Sequence, residues 1–130
     1  MLFRIQCLVC REQNFDISKL EVFYREMLIK VEIEKVNKRD FMKITEEIGR
    51  DLTRTFHDKR FSSKEGQDEL YRILSVIAYL RPEIGYCQGM NFVTGALLTF
   101  IDKEELSFWV LLYFLDEIEL NSLYLKVILQ

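Results

Sequence analysis

The feature that most constrains the fold of this chain is a single break between two helical patterns. Pro82 is the only proline, and apolar residues recur every three or four positions before it, over residues 70–80, and after it, over residues 90–101. That spacing places apolar side chains on one face of a helix. Proline lacks a backbone donor and disfavours helical geometry at the preceding residue. The pattern therefore predicts two amphipathic helices joined by a turn.

The composition favours an all-α fold with one hydrophobic core. Hydrophobic residues make up 49% of the 130 residues and aromatic residues 13%, which argues against disorder. Neither Asn-Gly nor Asp-Gly occurs in the chain, although these dipeptides are typical of β-hairpin turns. A chain of this length forms at most one domain. We expect an apolar N-terminal extension over residues 1–15 and the domain over residues 16–130.

The first half of the chain carries two more helical patterns. Residues 16–36 have apolar side chains at helical intervals, and the charged residues 32–39 are expected to fray into a connection. A short helix follows and is expected to end near Gly49, because glycine often follows the last helical residue. The basic stretch beyond it is expected to be a loop with one more helical turn, and Ser63 is expected to cap the next helix.

The C-terminal part predicts two final helices. Residues 106–115 are apolar almost all round, which is typical of a central helix covered on several sides. Residues 117–129 place apolar side chains mostly on one face. Nothing in the sequence follows to cover these helices, so we expect exposed apolar area on them and self-association through an uncovered C-terminal helix.

The charge and cysteine content exclude several classes of function. A net charge of −3, from 18 basic and 21 acidic residues, argues against general nucleic-acid binding. The three cysteines include Cys7 and Cys10, expected to be small core residues, because a single Cys-x-x-Cys pair cannot complete a zinc site. No apolar run is long enough to span a membrane. No signal peptide is evident, and a reducing, cytoplasmic compartment fits best.

Catalysis by the chain alone is poorly supported. The only histidine is His57, expected on a solvated loop, and no Gly-x-Ser-x-Gly elbow occurs. No Gly-x-x-x-x-Gly-Lys motif is present, so the chain should not bind a nucleotide by itself. Residues 50–64 contain five basic and two acidic residues, a local charge of +3. Such a stretch fits either an anionic partner such as phosphate or an ordinary solvated loop.

Two short constellations could nevertheless act on a phosphate. Asp51 and Arg54 are three residues apart, so on a helix the carboxylate could orient the guanidinium. Gln88 lies between Gly85 and Gly89, and an amide, which does not titrate, can place a water molecule. A fixed guanidinium and an oriented water are what GTP hydrolysis requires. The alternatives are a surface ion pair of Asp51 with Arg54 and an ordinary helix–turn–helix junction.

These residues carry a resemblance to a known family. Residues 48–56, Ile-Gly-Arg-Asp-Leu-Thr-Arg-Thr-Phe, resemble the Ile-x-x-Asp-x-x-Arg motif of TBC-domain Rab GTPase-activating proteins. Residues 85–90, Gly-Tyr-Cys-Gln-Gly-Met, resemble the Tyr-x-Gln motif of the same family. The likeness extends over residues 44–113. It implies the irregular all-α array of the N-terminal part of a TBC domain, whose second helical half is mostly absent from this chain.

The resemblance also implies roles for individual residues. It makes Arg54 an arginine finger and Gln88 a glutamine finger that aligns the attacking water. It gives supporting roles to four other residues: Ile48, Asp51, Tyr86 and Gly89. Among these, Ile48 would be a buried anchor.

The implied function is that of a GTPase activator for Rab-family GTPases, in vesicle trafficking. The chain would have no catalytic activity and no cofactor of its own, because GTP and Mg²⁺ belong to the GTP-bound partner. Recruitment to endomembrane surfaces would occur through that partner. Two alternatives stay open: a truncated, non-catalytic module that binds a small GTPase or another helical protein, and an incomplete gene product that does not persist in the cell.

Overall fold

A computed structural model describes residues 17–55 and 60–117, which contain five α-helices and no strand. The helices are α1 (Ile17–Asn37), α2 (Arg39–Thr55), α3 (Lys64–Leu80), α4 (Met90–Ile101) and α5 (Glu104–Glu117). The all-α prediction is confirmed. The extension at residues 1–15 and the helix predicted beyond Glu117 lie outside the described residues.

Helix α3 is the centre of the array and packs against each of the other four helices. Its apolar positions, which predicted the helix, are fully buried: Leu70, Ile73, Leu74 and Ile77. Ser63 caps its N-terminus, because the side-chain oxygen accepts a 3.2 Å hydrogen bond from the Gly66 N–H. The helix ends at Leu80, two residues before Pro82. The predicted Ser63 cap and the predicted end of the helix before Pro82 are both confirmed.

Helix α2 continues past Gly49 to Thr55, so the predicted end near Gly49 is wrong. Ile48 and Leu52 lie on either side of the glycine and are 0% and 2% exposed. Glycine inside a helix costs about 1 kcal/mol relative to alanine, whereas burying one large aliphatic side chain contributes roughly 1.5–3 kcal/mol. Burial therefore keeps the residues after Gly49 helical, including Asp51.

Helix α1 also extends further than its charged end predicted. Residues 32–37 are helical, and only Lys38 separates α1 from α2. Lys35 pairs with Glu32 at 2.9 Å and Lys38 with Glu34 at 2.8 Å. Pairs at these helical spacings contribute about 0.2–0.5 kcal/mol each, and the Lys35 ammonium also lies 4.5 Å from the ring centre of Tyr71 on α3. The predicted fraying is wrong because these contacts hold the last turn.

A polar cluster joins α1, α3 and α5. The Tyr24 hydroxyl donates a 2.6 Å hydrogen bond to Oε2 of Glu104. Arg72 donates to both oxygens of the same carboxylate, at 2.8 and 2.5 Å. Burial, followed by the charge of Glu104, raises the pKa of the Tyr24 hydroxyl, so it remains a donor at neutral pH. These hydrogen bonds therefore fix the positions of α1, α3 and α5 relative to one another.

The exposed apolar area predicted on the last two helices can be checked only on α5, because residues 118–130 lie outside the described part of the chain. Helix α5 packs against α1, α3 and α4, and Phe108, Leu111 and Leu115 are fully buried. The large exposed apolar residues lie instead on α1, at the start of α2 and on α4: Val22, Ile29, Ile33, Val36, Met42, Phe92 and Phe100. The expectation of exposed apolar area on α5 is therefore wrong. Across residues 17–55 and 60–117, no helix combines the length and apolarity that a bilayer crossing needs.

Candidate functional site

The first motif lies at the C-terminal end of α2. Ile48 is completely buried, as an anchor residue should be, and Asp51 is 8% exposed. Arg54 belongs to the last turn of this helix. A spacing of three residues places Asp51 and Arg54 on neighbouring positions of one helix face. The Arg54 side chain and His57 lie outside the described residues, so their predicted roles stay predictions.

The second motif lies in the turn between α3 and α4. The N–H groups of Ile84 and Gly85 both donate to the carbonyl of Arg81, at 3.0 and 2.9 Å. Ile84 and Cys87 point into the core with 4% and 8% exposure, whereas Gln88 between them and α4 is exposed. The turn is thus anchored by buried side chains and presents the amide of Gln88 to solvent.

Gly89 allows this turn to enter α4. Its φ is +107° and that of Gly85 is +58°, both in the left-handed region that side chains with a Cβ rarely adopt. Gly89 is the residue immediately before the first turn of α4, and the N–H groups of Phe92 and Val93 donate to its carbonyl at 3.1 and 3.4 Å. The positive φ of Gly89 therefore sets the direction in which the chain passes from Gln88 into α4.

A hydrogen bond joins the two motifs. The Tyr86 hydroxyl donates to Oδ2 of Asp51 at 2.7 Å. Burial, with a further contribution from the Asp51 hydrogen bond, raises the pKa of Tyr86. The hydroxyl is therefore protonated at neutral pH and can serve only as the donor to this carboxylate. The bond connects the end of the helix that bears Arg54 with the turn that bears Gln88.

The charge of Glu47 also faces this junction. Glu47 is exposed and lies one turn before Asp51 on α2, and its carboxylate contributes to raising the pKa of both Tyr86 and Cys87. Burial is the main cause of the raised pKa of the Cys87 thiol. A thiol that stays protonated is a poor nucleophile, so Cys87 serves as a buried support for the turn.

The sequence reasoning missed two residues that hold the turn. The Asn91 side chain is buried, and its Oδ1 accepts a 3.1 Å hydrogen bond from the Gly89 N–H. The Arg81 guanidinium donates from Nε to Asp116 at 2.8 Å and makes a second hydrogen bond to the other carboxylate oxygen. An asparagine in the first turn of an apolar helix is a local signal for the first contact. The second joins residues 35 positions apart and has no local signal.

The chemistry of the Gln88 side chain limits what this turn can do. An exposed amide cannot act as a general acid or base, but an anchored one can orient a water molecule. Within residues 17–55 and 60–117, no group of three or more His, Cys, Asp or Glu side chains is placed to hold a metal ion.

The comparisons with known proteins point to one family. The Rab-GTPase-TBC domain model matches residues 7–130. The chain is 32% identical over 108 residues to growth hormone-regulated TBC protein 1 of Rattus norvegicus, covering 78% of this chain and 37% of that protein. It is 47% identical over 72 residues to GTPase-activating protein GYP3 of Saccharomyces cerevisiae, covering 49% of this chain and 11% of that protein.

A third relative is growth hormone-regulated TBC protein 1-A of Danio rerio, which is 40% identical over 73 residues. That match covers 53% of this chain and 20% of the relative. The chain therefore spans between 11% and 37% of the length of these three relatives. No solved structure matches the chain significantly.

Proposed function

Because the chain belongs to the Rab-GTPase-TBC domain family, we propose that it accelerates GTP hydrolysis by a Rab GTPase, to which it donates Arg54 and Gln88. The partner would be the GTP-bound form of the GTPase. The nucleotide and Mg²⁺ would belong to that partner, and this chain would supply no cofactor. The printed name of the yeast relative, a GTPase-activating protein, supports the same reaction class.

The single observation that carries this proposal is the hydrogen bond between Tyr86 and Asp51. It joins the two motifs at 2.7 Å across 35 residues of sequence. Acceleration by two side chains from different segments requires that both reach one phosphate group together, because small misplacements of a catalytic group cost large factors in rate. A partly buried hydrogen bond between the segments meets that requirement.

The proposed roles follow from the chemistry of the two side chains. The Arg54 guanidinium would neutralise charge that develops on the phosphate oxygens as the terminal phosphate leaves, an effect worth on the order of 10³ to 10⁵ in rate for GTPases. The Gln88 amide would accept a hydrogen bond from the attacking water and orient it. Asp51 and Tyr86 would hold the two segments together. Gly89 would set the direction of the backbone between Gln88 and α4, and Ile48 would anchor α2 in the core.

The cellular setting belongs to the same proposal. Rab GTPases would bring the chain to endomembrane surfaces from the cytoplasm, in vesicle trafficking.

The second candidate is a module that binds a GTPase or another helical protein without accelerating hydrolysis. The exposed apolar side chains of α1 and α4 favour this candidate. It predicts complex formation with an unchanged hydrolysis rate.

Single-turnover hydrolysis by GTP-loaded Rab proteins, measured with and without the chain, separates the two candidates. Complex formation is followed in parallel by titration with a non-hydrolysable GTP analogue on the GTPase. Faster hydrolysis by at least one Rab supports the activator. Binding with no change in rate for any Rab would contradict it and support the binding module.

A further inference from the structure

The exposed side of helix α1 carries a row of aliphatic side chains. The α1 row consists of four residues that are between 54% and 85% exposed: Val22, Ile29, Ile33 and Val36. With 3.6 residues per turn, these four side chains lie within about 60° of one another around the helix axis. They lie opposite the residues of α1 that are buried in the core: Leu20, Tyr24, Met27 and Val31. A continuous exposed apolar row of this kind marks an interaction surface.

Charged side chains flank the middle of the α1 row on both sides. By the same helical geometry, Arg25 and Glu32 lie along one side of the row, and Glu26 and Lys30 lie along the other. All four side chains are exposed. Along the chain, the basic residue comes first on one side and the acidic residue comes first on the other. Each side therefore carries both signs of charge.

Two of these charged residues already have a partner within the chain. Arg25 lies 3.6 Å from Glu105 on α5, and Glu32 lies 2.9 Å from Lys35 on α1. The side chains of Arg25 and Glu32 nevertheless remain 72% and 71% exposed. A further charged group can therefore approach each of them from solvent.

The order of the charges is complementary to that of an antiparallel copy of α1. A two-fold axis that crosses the α1 row at the level of Leu28 places the same side of both helices together, and in such a contact every pair of residues occurs twice. Arg25 then lies opposite Glu32 of the copy, and Glu26 lies opposite Lys30 of the copy. Charges beside an apolar row in this way determine which helix pairs with which, and in which orientation.

The same register also fits the apolar side chains together. Val22 and Ile29 are separated by about two helical turns, and Ile33 of the copy lies within that gap. Val22 of the copy lies between Ile33 and Val36, over the open groove that these residues line together with Ile29. Parallel helices would instead place the gap of one row against the gap of the other. The antiparallel pair therefore buries the row more completely.

We propose that the α1 row binds the α1 row of a second copy of this chain, in antiparallel orientation. The charge order carries the choice of occupant, because it complements itself. The inference does not depend on the proposed function, and the surface differs from the C-terminal helix through which the sequence predicted self-association. A contact made by one helix from each copy belongs with the smallest specific interfaces, below about 1,200 Å². We therefore expect a dissociation constant in the micromolar range.

The first test is sedimentation equilibrium of the whole chain over a range of micromolar concentrations. The parent chain should show an equilibrium between monomer and dimer. Ile29→Gln, at the middle of the α1 row, should raise the dimer dissociation constant roughly 30-fold, as for a central interface residue. Phe100→Gln is the matched control and should match the parent chain, because Phe100 is 89% exposed but lies on α4. Glutamine is a good helix former, and circular dichroism verifies that both variants are folded.

The second test uses the charge reversals Arg25→Glu and Glu32→Arg. In each variant alone, both symmetry-related contacts would join like charges, so the dissociation constant should rise about tenfold. An equal mixture of the two variants should restore a dimer close to the parental strength. In that mixed dimer, opposite charges face each other at both contacts. Parallel pairing would leave like charges together in the mixture and would give no recovery.

Three outcomes would overturn the inference. The first is a parent chain that stays monomeric at every concentration, as expected if another segment of the chain or another protein covers the α1 row. The second is a dimer that Ile29→Gln leaves at parental strength, which would place the contact elsewhere, for example at residues 117–129. The third is a mixture of the two charge variants that dimerises no better than either alone. Sedimentation does not measure hydrolysis, so the proposed function is decided separately.

Discussion

The hydroxyl of Tyr86 lies 2.7 Å from Oδ2 of Asp51 and donates a hydrogen bond to it. Asp51 is nearly buried at the end of α2, and Tyr86 is in the turn that presents Gln88. The bond therefore couples two segments that the sequence separates by 35 residues. Both candidate finger residues lie within three positions of this contact.

Tyr86→Phe should lower the maximal hydrolysis rate about tenfold, because loss of the contact loosens the two candidate finger residues, Arg54 and Gln88, relative to each other. The half-saturating concentration should change little. The free energy of unfolding should fall by about 1 kcal/mol, the usual net value of one such bond. Stopped-flow hydrolysis and urea unfolding measure the two effects.

Tyr113→Phe is the matched control for this change. Tyr113 is half-buried on α5, and its hydroxyl makes no hydrogen bond within the described part of the chain. Tyr113→Phe should leave both the maximal hydrolysis rate and the free energy of unfolding near the parental values. A parental rate for Tyr86→Phe would show that the contact is structural and does not position the fingers.

Gly89→Ala and Gly49→Ala should change stability in opposite directions. An added Cβ meets no atom within 4 Å at either position, so space does not distinguish them. The φ of Gly89 is +107°, and forcing alanine there costs about 1–3 kcal/mol. Gly49 is inside α2, where alanine is favoured by roughly 0.5–1 kcal/mol. Equal effects of the two variants on the free energy of unfolding would contradict the assigned backbone conformations.

The stability of the chain should fall at alkaline pH through Tyr24. Burial and Glu104 raise the pKa of the Tyr24 hydroxyl above its ordinary value, which is about 10 in an unfolded chain. Above that pH the unfolded chain loses a proton that the folded chain retains. The free energy of unfolding then decreases with rising pH, by up to about 1.4 kcal/mol per pH unit for this one proton.

Below about pH 10 the contribution of Tyr24 is fully present. Tyr24→Phe should therefore flatten the dependence of the unfolding free energy on pH between about pH 9 and about pH 11. Urea unfolding at several pH values checks this. An unchanged slope in Tyr24→Phe would contradict the buried donor role of this hydroxyl.

The helices around Pro82 could be predicted from sequence because their signals are local. Periodic apolar residues, one proline and the Ser63 cap all act within a few positions. The end of α2 could not be predicted in this way, because Gly49 is a local stop signal. The burial of Ile48 and Leu52, which outweighs that signal, arises only in the folded array. The persistence of α1 to Asn37 likewise depends partly on Tyr71 from another helix.

The candidate site was predictable only through the motif resemblance. Spacing alone related Asp51 to Arg54 on one helix, but nothing local relates Asp51 to Tyr86 across the intervening helix α3. The exposure of Phe100 was also hidden from the sequence, because its periodic position is equally consistent with a core face. Tertiary packing decides which side of α4 faces solvent.

The most direct test of the account is single-turnover GTP hydrolysis by a panel of Rab proteins, with the parent chain, Arg54→Ala and Arg50→Ala. Arg50 is exposed on α2 one turn before Arg54, so its variant controls for the loss of one positive charge on this helix. Faster hydrolysis with the parent chain, reduced by a factor on the order of 10³ in Arg54→Ala and nearly unchanged in Arg50→Ala, is the predicted result. A rate with Arg54→Ala equal to that of the parent chain would contradict the account.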